Sequence, residues 1–586
     1  HLHHADGANS YLTDSSIWQS NWRSVVVHRT NDTLVSRNVA FDVFGHSFYL
    51  EDGVEVRNEL SFNLAARTKI MGPTDSMSLA LLNPPDQWGQ TLLDSPTMVQ
   101  PADRAAAGFY ISNGNNRIVG NAASGGFAGF TFPSVPIPTG GPSNVRPLDY
   151  AVSSFDGNSA HTAGYFWWSG ACVYVGGVLD TVDVGGVTRL RYLTGRTTDW
   201  NLLRHGGDIF NNTRTFQCPL GINHWGSLVR VVNFESYDNE LLGALFGSAS
   251  IQSAVVVASS QNTQHFGWLQ TGYYRGFQFY DTGTQTVLSD VVFRNFQPVT
   301  PGMCNNCNNC ALLTMVHSDE FTPQNMNATQ RLYFDAVHES VRFCSSNTGT
   351  LASRNFNLYD SDGSATRLPG DGLPMGARLV GSGYSDSWRI NTSCVRQPSM
   401  NMWLCPMSGT YEVASIGVTP NRGVRSTTYS LTNGAALGDN WYSTTTSFDY
   451  AQLTGPARFG WHHSFPGGVV PPSFAVQVKQ VPLNSFVVMS FSLPPGVQCS
   501  VAGWTQYMTV AALLGATGAG YATDRGTCFL RIPPTPVGFF QASMLRVQNQ
   551  TWSGNPTPTT YFTVQTGCSS AIPACQMMTS TLPTLP

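Results

Sequence analysis

A chain of 586 residues with only 11% charged positions and a formal net charge of −4 lacks the clustered basic face that a nucleic-acid partner requires. It is too long for one ordinary domain, whereas a solenoid grows without that limit. Lys69 and Lys479 are the only lysines, so neutral polar groups must solvate most of the surface, and no apolar run reaches membrane-spanning length, the nearest being the glycine-interrupted Met508–Ala522.

Residues 1–65 read as successive coils of a stacked β structure. The stretches HLHHADG, VVVHRTN and FYLEDGV each place a polar residue after a short strand, and each is followed by a second apolar pulse: SSIW, NVAF, ELSF. Trp18, Phe41 and Phe62 recur at 23 and 21 residues, and His4, His28 and Glu51 at 24 and 23. Two columns sharing a period in the low twenties indicate a solenoid, because one coil cannot bury its apolar edge alone; evenly spaced strands of an antiparallel sandwich are the alternative. Trp18, Phe41 and Phe62 are expected to form one interior column, with Val25 and Val27 inward and Val26 and His28 outward.

Residues 66–107 break the pattern and read as a loop inserted on one face, and coils resume at Gly108, where Ser112 falls at the His28 position. A Pro/Gly-rich insertion follows over 132–147. Short apolar pulses between Val187 and Pro298 read as strands, although Leu241–Ala249 fits a buried strand or a helix equally well. Past a Gly/Pro/Asp-rich stretch, longer alternating strands such as SFAVQVKQV and NSFVVMSFSL suggest an antiparallel sandwich. The expected domains are 1–395, coils with missing N-terminal turns; 396–575, the sandwich; and 576–586, a Ser/Thr/Pro-biased linker or stalk. His1 begins in mid-pattern and no signal peptide is visible, so the chain reads as a fragment with any membrane anchor outside it.

The run Val25–Ala65 closely resembles the β-helix region shared by the cell-surface hyaluronidases and the fibrocystin-like proteins. The likeness continues in Gly108–Ala123, in Phe155–Gly170, and more weakly in Leu203–Phe210 and Gly455–Trp461. It implies an all-β chain, a right-handed parallel β-helix followed by a β-rich module.

Twelve cysteines, at 172, 218, 304, 307, 310, 344, 394, 405, 499, 528, 568 and 575, point to disulfides and an oxidising compartment whose pairing the sequence does not fix. Cys394/Cys405 and Cys568/Cys575 are the nearest pairs. Cys304, Cys307 and Cys310 are close enough to share a metal, but in an extracellular chain disulfide pairing is the better reading. Sequons at Asn31, Asn211, Asn327, Asn391 and Asn549 fit a glycoprotein.

His4, His28 and Glu51 on adjacent coils suit zinc, iron or manganese, with His46 and Asp52 as further ligands or orienting groups. The competing reading is a polar ladder of stacked side chains. As catalytic candidates, Asn158 and His161 lie in the hyaluronidase-like motif, where His161 suits acid–base work, and an Asn and His closing a turn is the simpler role. Arg204 and Asp208 resemble a further segment of that family, in which the inserted His205 is a departure. His462 and His463 fall in an expected loop. Phe166–Trp168, Trp225, Tyr273 and Tyr274 suit sugar stacking or a β core equally.

Two functions follow from the resemblance. One is a cell-surface or ciliary scaffold that binds glycans, other proteins or copies of itself in a coat or filament. The other is a metal-dependent polysaccharide hydrolase.

Overall fold

The computed structural model describes residues 1–5, 10–70, 91–93, 101–164, 170–193, 202, 204, 207–261, 274–279, 286–298, 309–314 and 327–345, and then 357–366, 377–381, 395–397, 402–406, 413–419, 425–429, 431, 436–441, 451–456, 460–464, 470–479, 486–494, 496–533, 559–566 and 568. The chain separates into two compact units, one made of His1–Tyr280, Thr286–Met315 and Thr329–Asn347, the other chiefly of Thr348–Pro586.

The first unit is a parallel β-helix with three strands per coil. The second coil shows the pattern: Val25–His28 on the first face, Leu34–Ser36 on the second, Val39–Phe41 on the third. Each strand pairs in parallel with its counterpart one coil on, Phe48–Leu50, Glu59–Ser61 and Leu64–Thr68. The pleat turns alternate residues inward, so Val25, Phe48, Phe109 and Phe130 align in register inside the first face. Their rings stack at 4.7 and 4.8 Å for Phe48–Phe109 and Phe109–Phe130. Across the interior the third face presents a column of small residues, Ala40, Ala65, Ala123 and Ala160, all buried. Small residues are needed there because the faces approach closely: a Cβ on Gly108 of the first face would lie 2.9 Å from that of Ala123.

The corner between the second and third faces repeats a two-residue device. Asp14, Arg37, Phe62, Gly120 and Gly157 all take positive φ. From Arg37 onward the next residue is an inward asparagine: Asn38, Asn63, Asn121 and Asn158, each buried. The Oδ1 of each accepts the backbone N–H of the corresponding residue one coil earlier, from Ser15 N–H to Asn38 through Asn121 N–H to Asn158, at 2.9–3.1 Å. Each Nδ2 donates to a carbonyl of that preceding coil, of Leu12, Val35, Leu60 and Ile118 in turn. The ladder satisfies polar groups that water cannot reach.

Trp18, Phe41 and Phe62 do not form an interior column. Ile17 and Ala40 occupy the inward positions of the third face, so their neighbours Trp18 and Phe41 pair in register on the outside, 68% and 41% exposed. Phe62 belongs to the corner, 62% exposed, and Phe41 is followed in its column by Ala66. Val25 and Val27 are buried and Val26 and His28 half-buried, as expected. Coil strands persist through Thr68 before the first insertion and through Ser134 before the second, so both insertions begin a few residues later than the composition suggests. Leu241–Ala249 is split between two strands, Leu241–Leu245 and Ser248–Val257.

In the second unit a five-stranded and a seven-stranded sheet share one core. Phe474, Val476, Val478 and Val564 from the first meet Trp461, Met489, Phe491 and Leu530 from the second. The second sheet is mixed, since Gly460–Ser464 runs parallel to Val487–Ser492. His462 and His463 lie within that strand instead of a loop, and both are buried. His462 is hydrogen-bonded through Nδ1 to Ser490 Oγ at 2.9 Å and through Nε2 to Ser492 Oγ at 3.0 Å. Burial lowers the His462 pKa to about 4 and, with the neighbouring His462, that of His463 to about 3.

Candidate metal centre

The outward column of the first face is set by strand register: His3 pairs with His28, and Val27 with Leu50, so Glu51 follows next to His28. His4 is the corner residue after His3, with positive φ like Arg29 one coil on. The expected column of His4, His28 and Glu51 is therefore corrected by one residue to His3, His28 and Glu51. The slip arises because the first face advances 25 residues from His3 to His28 and then 23 to Glu51, not a uniform interval.

His4 nevertheless stays in the cluster. Ligand atoms of His3, His4 and His28 lie within 4.8 Å of one another, as do those of His1, His28 and Glu51. The rings crowd together, His3 4.1 Å from His4 and 4.5 Å from His28, with His1 stacked on His28 at 5.5 Å. Desolvation and the neighbouring His4 and His28 hold His3 below the ordinary histidine range.

The shared members are held from behind. His28 Nε2 lies 3.1 Å from Asp52 Oδ2, while Nδ1 faces Glu51 Oε2 at 3.5 Å. Asp52 is fixed in turn by Arg29 Nε at 3.0 Å and by Thr139 Oγ1, donating at 3.0 Å from the second insertion. A metal-ligating imidazole usually donates its other N–H to a carboxylate, and the contact from Asp52 to His28 has that geometry. The corner itself is braced by Glu55, whose buried carboxylate accepts the backbone N–H groups of Arg29, Asp52 and Gly53. Glu51 is anchored by Arg23, whose Nη1 donates to Oε1 at 3.2 Å and whose other nitrogens grip Asp103 at 2.9–3.0 Å. The guanidinium also lies 3.9 Å from the Tyr49 ring centroid.

His46 does not join this cluster. It is fully buried, stacked on Tyr49 at 4.9 Å; its Nδ1 accepts the Ala107 N–H at 3.0 Å and its Nε2 lies 3.7 Å from Asp103. Burial and the nearby Arg23 push its pKa well below the ordinary value. Its place is under the first insertion, not on the open face.

The proposed catalytic residues serve the framework. Asn158 is a rung of the asparagine ladder. His161 points outward, stacked on Phe216 at 4.6 Å with Nδ1 2.9 Å from Thr162 Oγ1, and burial lowers its pKa. Arg204 and Asp208 are completely buried: Arg204 Nη2 donates to the Tyr150 carbonyl at 2.7 Å, and Asp208 accepts from Val152 N–H at 2.8 Å and faces His224 Nε2 at 3.1 Å. Burial alone would raise the Asp208 pKa, but Arg204 and His224 bring it down. This closed network ties residues 150–152 to the coils and has no access for a polymer. Trp225 is buried against Phe246, so it too belongs to packing.

Cys172–Cys218 and Cys499–Cys528 are disulfides, and Cys310 and Cys568 are disulfide-bonded as well. Cys304, Cys307, Cys394 and Cys575, the side chains of Cys344 and Cys405, and Phe166–Trp168, His205, Tyr273, Asn391 and Asn549 lie outside the described residues. Asn31 and Asn211 are partly exposed, whereas Asn327 is buried.

The family model described as the CEMIP beta-helix matches residues 1–166. The N-terminal coils resemble that family. A G8 domain-containing protein of Dictyostelium discoideum is 34% identical over 559 residues, 91% of this chain and 48% of its own length. Communication mutant protein F of the same organism is 35% identical over 83% of this chain and 44% of its own. Fibrocystin-L of Mus musculus is 32% identical over 161 residues, 27% of this chain and 3% of its own. The chain thus spans about half, or less, of the curated relatives it matches. Among solved structures, the Siphovirus 9NA tailspike receptor binding domain covers 86% of the chain and 70% of its own at 8% identity and a TM-score of 0.30. With its disulfides and its resemblance to the CEMIP and fibrocystin-like β-helix regions, this is an extracellular or cell-surface β-helix protein.

Proposed function

We propose that the chain is the extracellular part of a fibrocystin-like scaffold at a cell or ciliary surface, binding glycans or neighbouring chains and holding one divalent transition metal, zinc or similar, on its first coils. The observation that carries the metal is the convergence of His3, His4 and His28 and of His1, His28 and Glu51 within 4.8 Å, backed by carboxylate and guanidinium groups that orient His28 and Glu51. Neutral imidazoles with one carboxylate form a borderline-soft donor set suited to zinc. Protein purified without chelator is expected to carry about one metal per chain by elemental analysis, and His28→Ala to lose it; metal-free wild-type protein that takes up none on dialysis against zinc would overturn the reading.

The cluster, with an adjacent carboxylate and an outward face, also fits a metal-dependent polysaccharide hydrolase. The scaffold is preferred because the cations around the cluster are already matched: Arg23 with Asp103 and Glu51, Arg29 with Asp52, Arg57 with Asp32. An anionic polymer would have to compete with these pairs for its counter-charge. Incubation of the metal-loaded chain with hyaluronan and with neutral and sulfated polysaccharides should leave them intact; shortening that His28→Ala removes would favour the hydrolase.

A further inference from the structure

The strand Asn357–Asp360, paired antiparallel with Ala377–Gly381, runs into the loop Asp360–Thr366, DSDGSAT, which the histidine cluster does not include. The loop closes on its first residue. Asp360 is completely buried, and its Oδ2 accepts the Thr366 backbone N–H at 2.9 Å and the Thr366 hydroxyl at 2.8 Å. Two positions on, Asp362 Oδ1 accepts the Ser364 backbone N–H at 3.1 Å and the Ser364 hydroxyl at 2.6 Å, and Gly363 between them turns the chain at a φ of +76°. These bonds satisfy one oxygen of Asp360 only. Its Oδ1 is enclosed and takes no hydrogen bond, and among the described residues no cation pairs with the carboxylate.

A carboxylate oxygen withdrawn from water without a partner is costly, and native structures rarely leave one. We infer that this loop is a site for a hard divalent cation, calcium by its donor set, with Asp360 Oδ1 as the inner ligand. Asp362, half-buried, supplies a second carboxylate. Ser364 and Thr366 supply hydroxyl oxygens: each gives its proton to a carboxylate, which leaves its lone pairs for the cation. Burial pushes the Asp360 pKa up to about 6, with a smaller contribution from Asp362, against the hydrogen-bonding groups of Thr366 and Ala365. Two carboxylates that disfavour each other's charge are relieved by a cation between them. A water molecule would give Oδ1 a donor but leave both charges in place.

The donor chemistry sets this loop apart from the histidine cluster. Carboxylates and hydroxyls are hard oxygen ligands, suited to calcium and not to the zinc that imidazoles favour. Calcium tolerates about six to eight oxygens in irregular arrangement, whereas magnesium demands a near-ideal octahedron and keeps most of its water. With two carboxylates from the chain and water completing the shell, the affinity is expected in the range of extracellular calcium modules, a Kd of about 0.1–1 mM. Occupancy would pin the end of the strand Asn357–Asp360 to the turn that follows it.

The test is terbium luminescence of the chelator-stripped full chain, competed with calcium or zinc, together with thermal denaturation with and without millimolar calcium. A saturable terbium signal that calcium displaces and zinc does not is expected, along with a calcium-dependent rise in the denaturation midpoint. Asp360→Asn should weaken terbium binding by about tenfold or more and abolish that rise, with circular dichroism checking the fold. Asp362→Asn, at a half-buried position, should weaken binding as well, and it decides the matter if the first variant does not fold. His28→Ala should leave calcium binding unchanged even if it abolishes zinc binding, so failure of this site and failure of the histidine centre are told apart. No saturable signal, with a midpoint blind to calcium, would mean that water alone occupies the loop and would overturn the site. Binding equal in wild type and both aspartate variants, or calcium binding lost with His28→Ala, would overturn it too.

Discussion

His28 is gripped at one nitrogen by Asp52 and faces Glu51 with the other, so the two carboxylates should have separable effects. If the proposed metal binds, Asp52→Asn is expected to weaken it by about 10- to 100-fold in chelator competition, as loss of an orienting carboxylate does elsewhere, whereas Glu51→Gln, which removes a proposed ligand, should lose most of it. His462 gives a second test, far from the coils in sequence. Its pKa is about 4 in the fold against 6.5 for a free histidine, so between these values the unfolded chain binds the extra proton. Stability from this group is complete above about pH 6.5 and is lost as pH falls towards 4, by a few kcal/mol at most. Thermal denaturation of the second unit should show that acid weakening, and His462→Gln should reduce it, the remainder coming from His463, whose pKa is lowered to about 3. At this scale the sequence brought His28 and Glu51 together through their shared period, with Asp52 beside them. It misplaced the third member because the two successive steps on that face are 25 and 23 residues, not one fixed interval. Arg23 and Asp103 were hidden because their bond joins residues 80 apart, one of them inside an insertion.

The coil corners hold the elements in register. Asn121 is buried, accepts from the Asn63 backbone and side chain, and donates to the Leu60 carbonyl. Asn121→Ala leaves those partners unsatisfied and is expected to cost about 1–3 kcal/mol, seen as a lowered denaturation midpoint and faster amide exchange in the flanking coils. The Cys172–Cys218 disulfide closes a separation of 46 residues between neighbouring coils; replacing both cysteines by alanine should cost about 2–4 kcal/mol. The strands of these coils were legible from their apolar pulses. The facing of the first-face strand Val25–His28 was legible too, but that of the third face was not, because Trp18 and Phe41 break the rule that large aromatics go inside, and Phe62 sits at a corner in a left-handed conformation rarely taken by bulky residues. The more telling signal was the recurrent pair of a corner residue and asparagine in RN, FN, GN and GN before short strands, since hydrogen-bond demand at a buried corner is less negotiable than ring burial.

Over the whole molecule, stability in a solenoid is close to a sum over neighbouring coils, and the surface chemistry is local in the same way. Glycans, if the chain passes through a secretory route, are expected on Asn31 and Asn211 and not on Asn327, which is 2% exposed; site mapping by mass spectrometry with and without glycan removal reads this directly. The asparagine ladder also has a direction. Each ladder asparagine from Asn38 to Asn158 donates one amide hydrogen to a carbonyl of the coil before it and accepts a backbone N–H of that same coil, while Asn38, Asn63 and Asn121 pass a second amide hydrogen on to the next asparagine. A nascent chain leaving the ribosome therefore meets each requirement in the order of synthesis, because the latch for coil n arrives with coil n + 1, 25 residues on for Asn38 and 58 for Asn63, where the first insertion intervenes. Growth by this route is vectorial, and the fold can be wound on as the polypeptide is spun out.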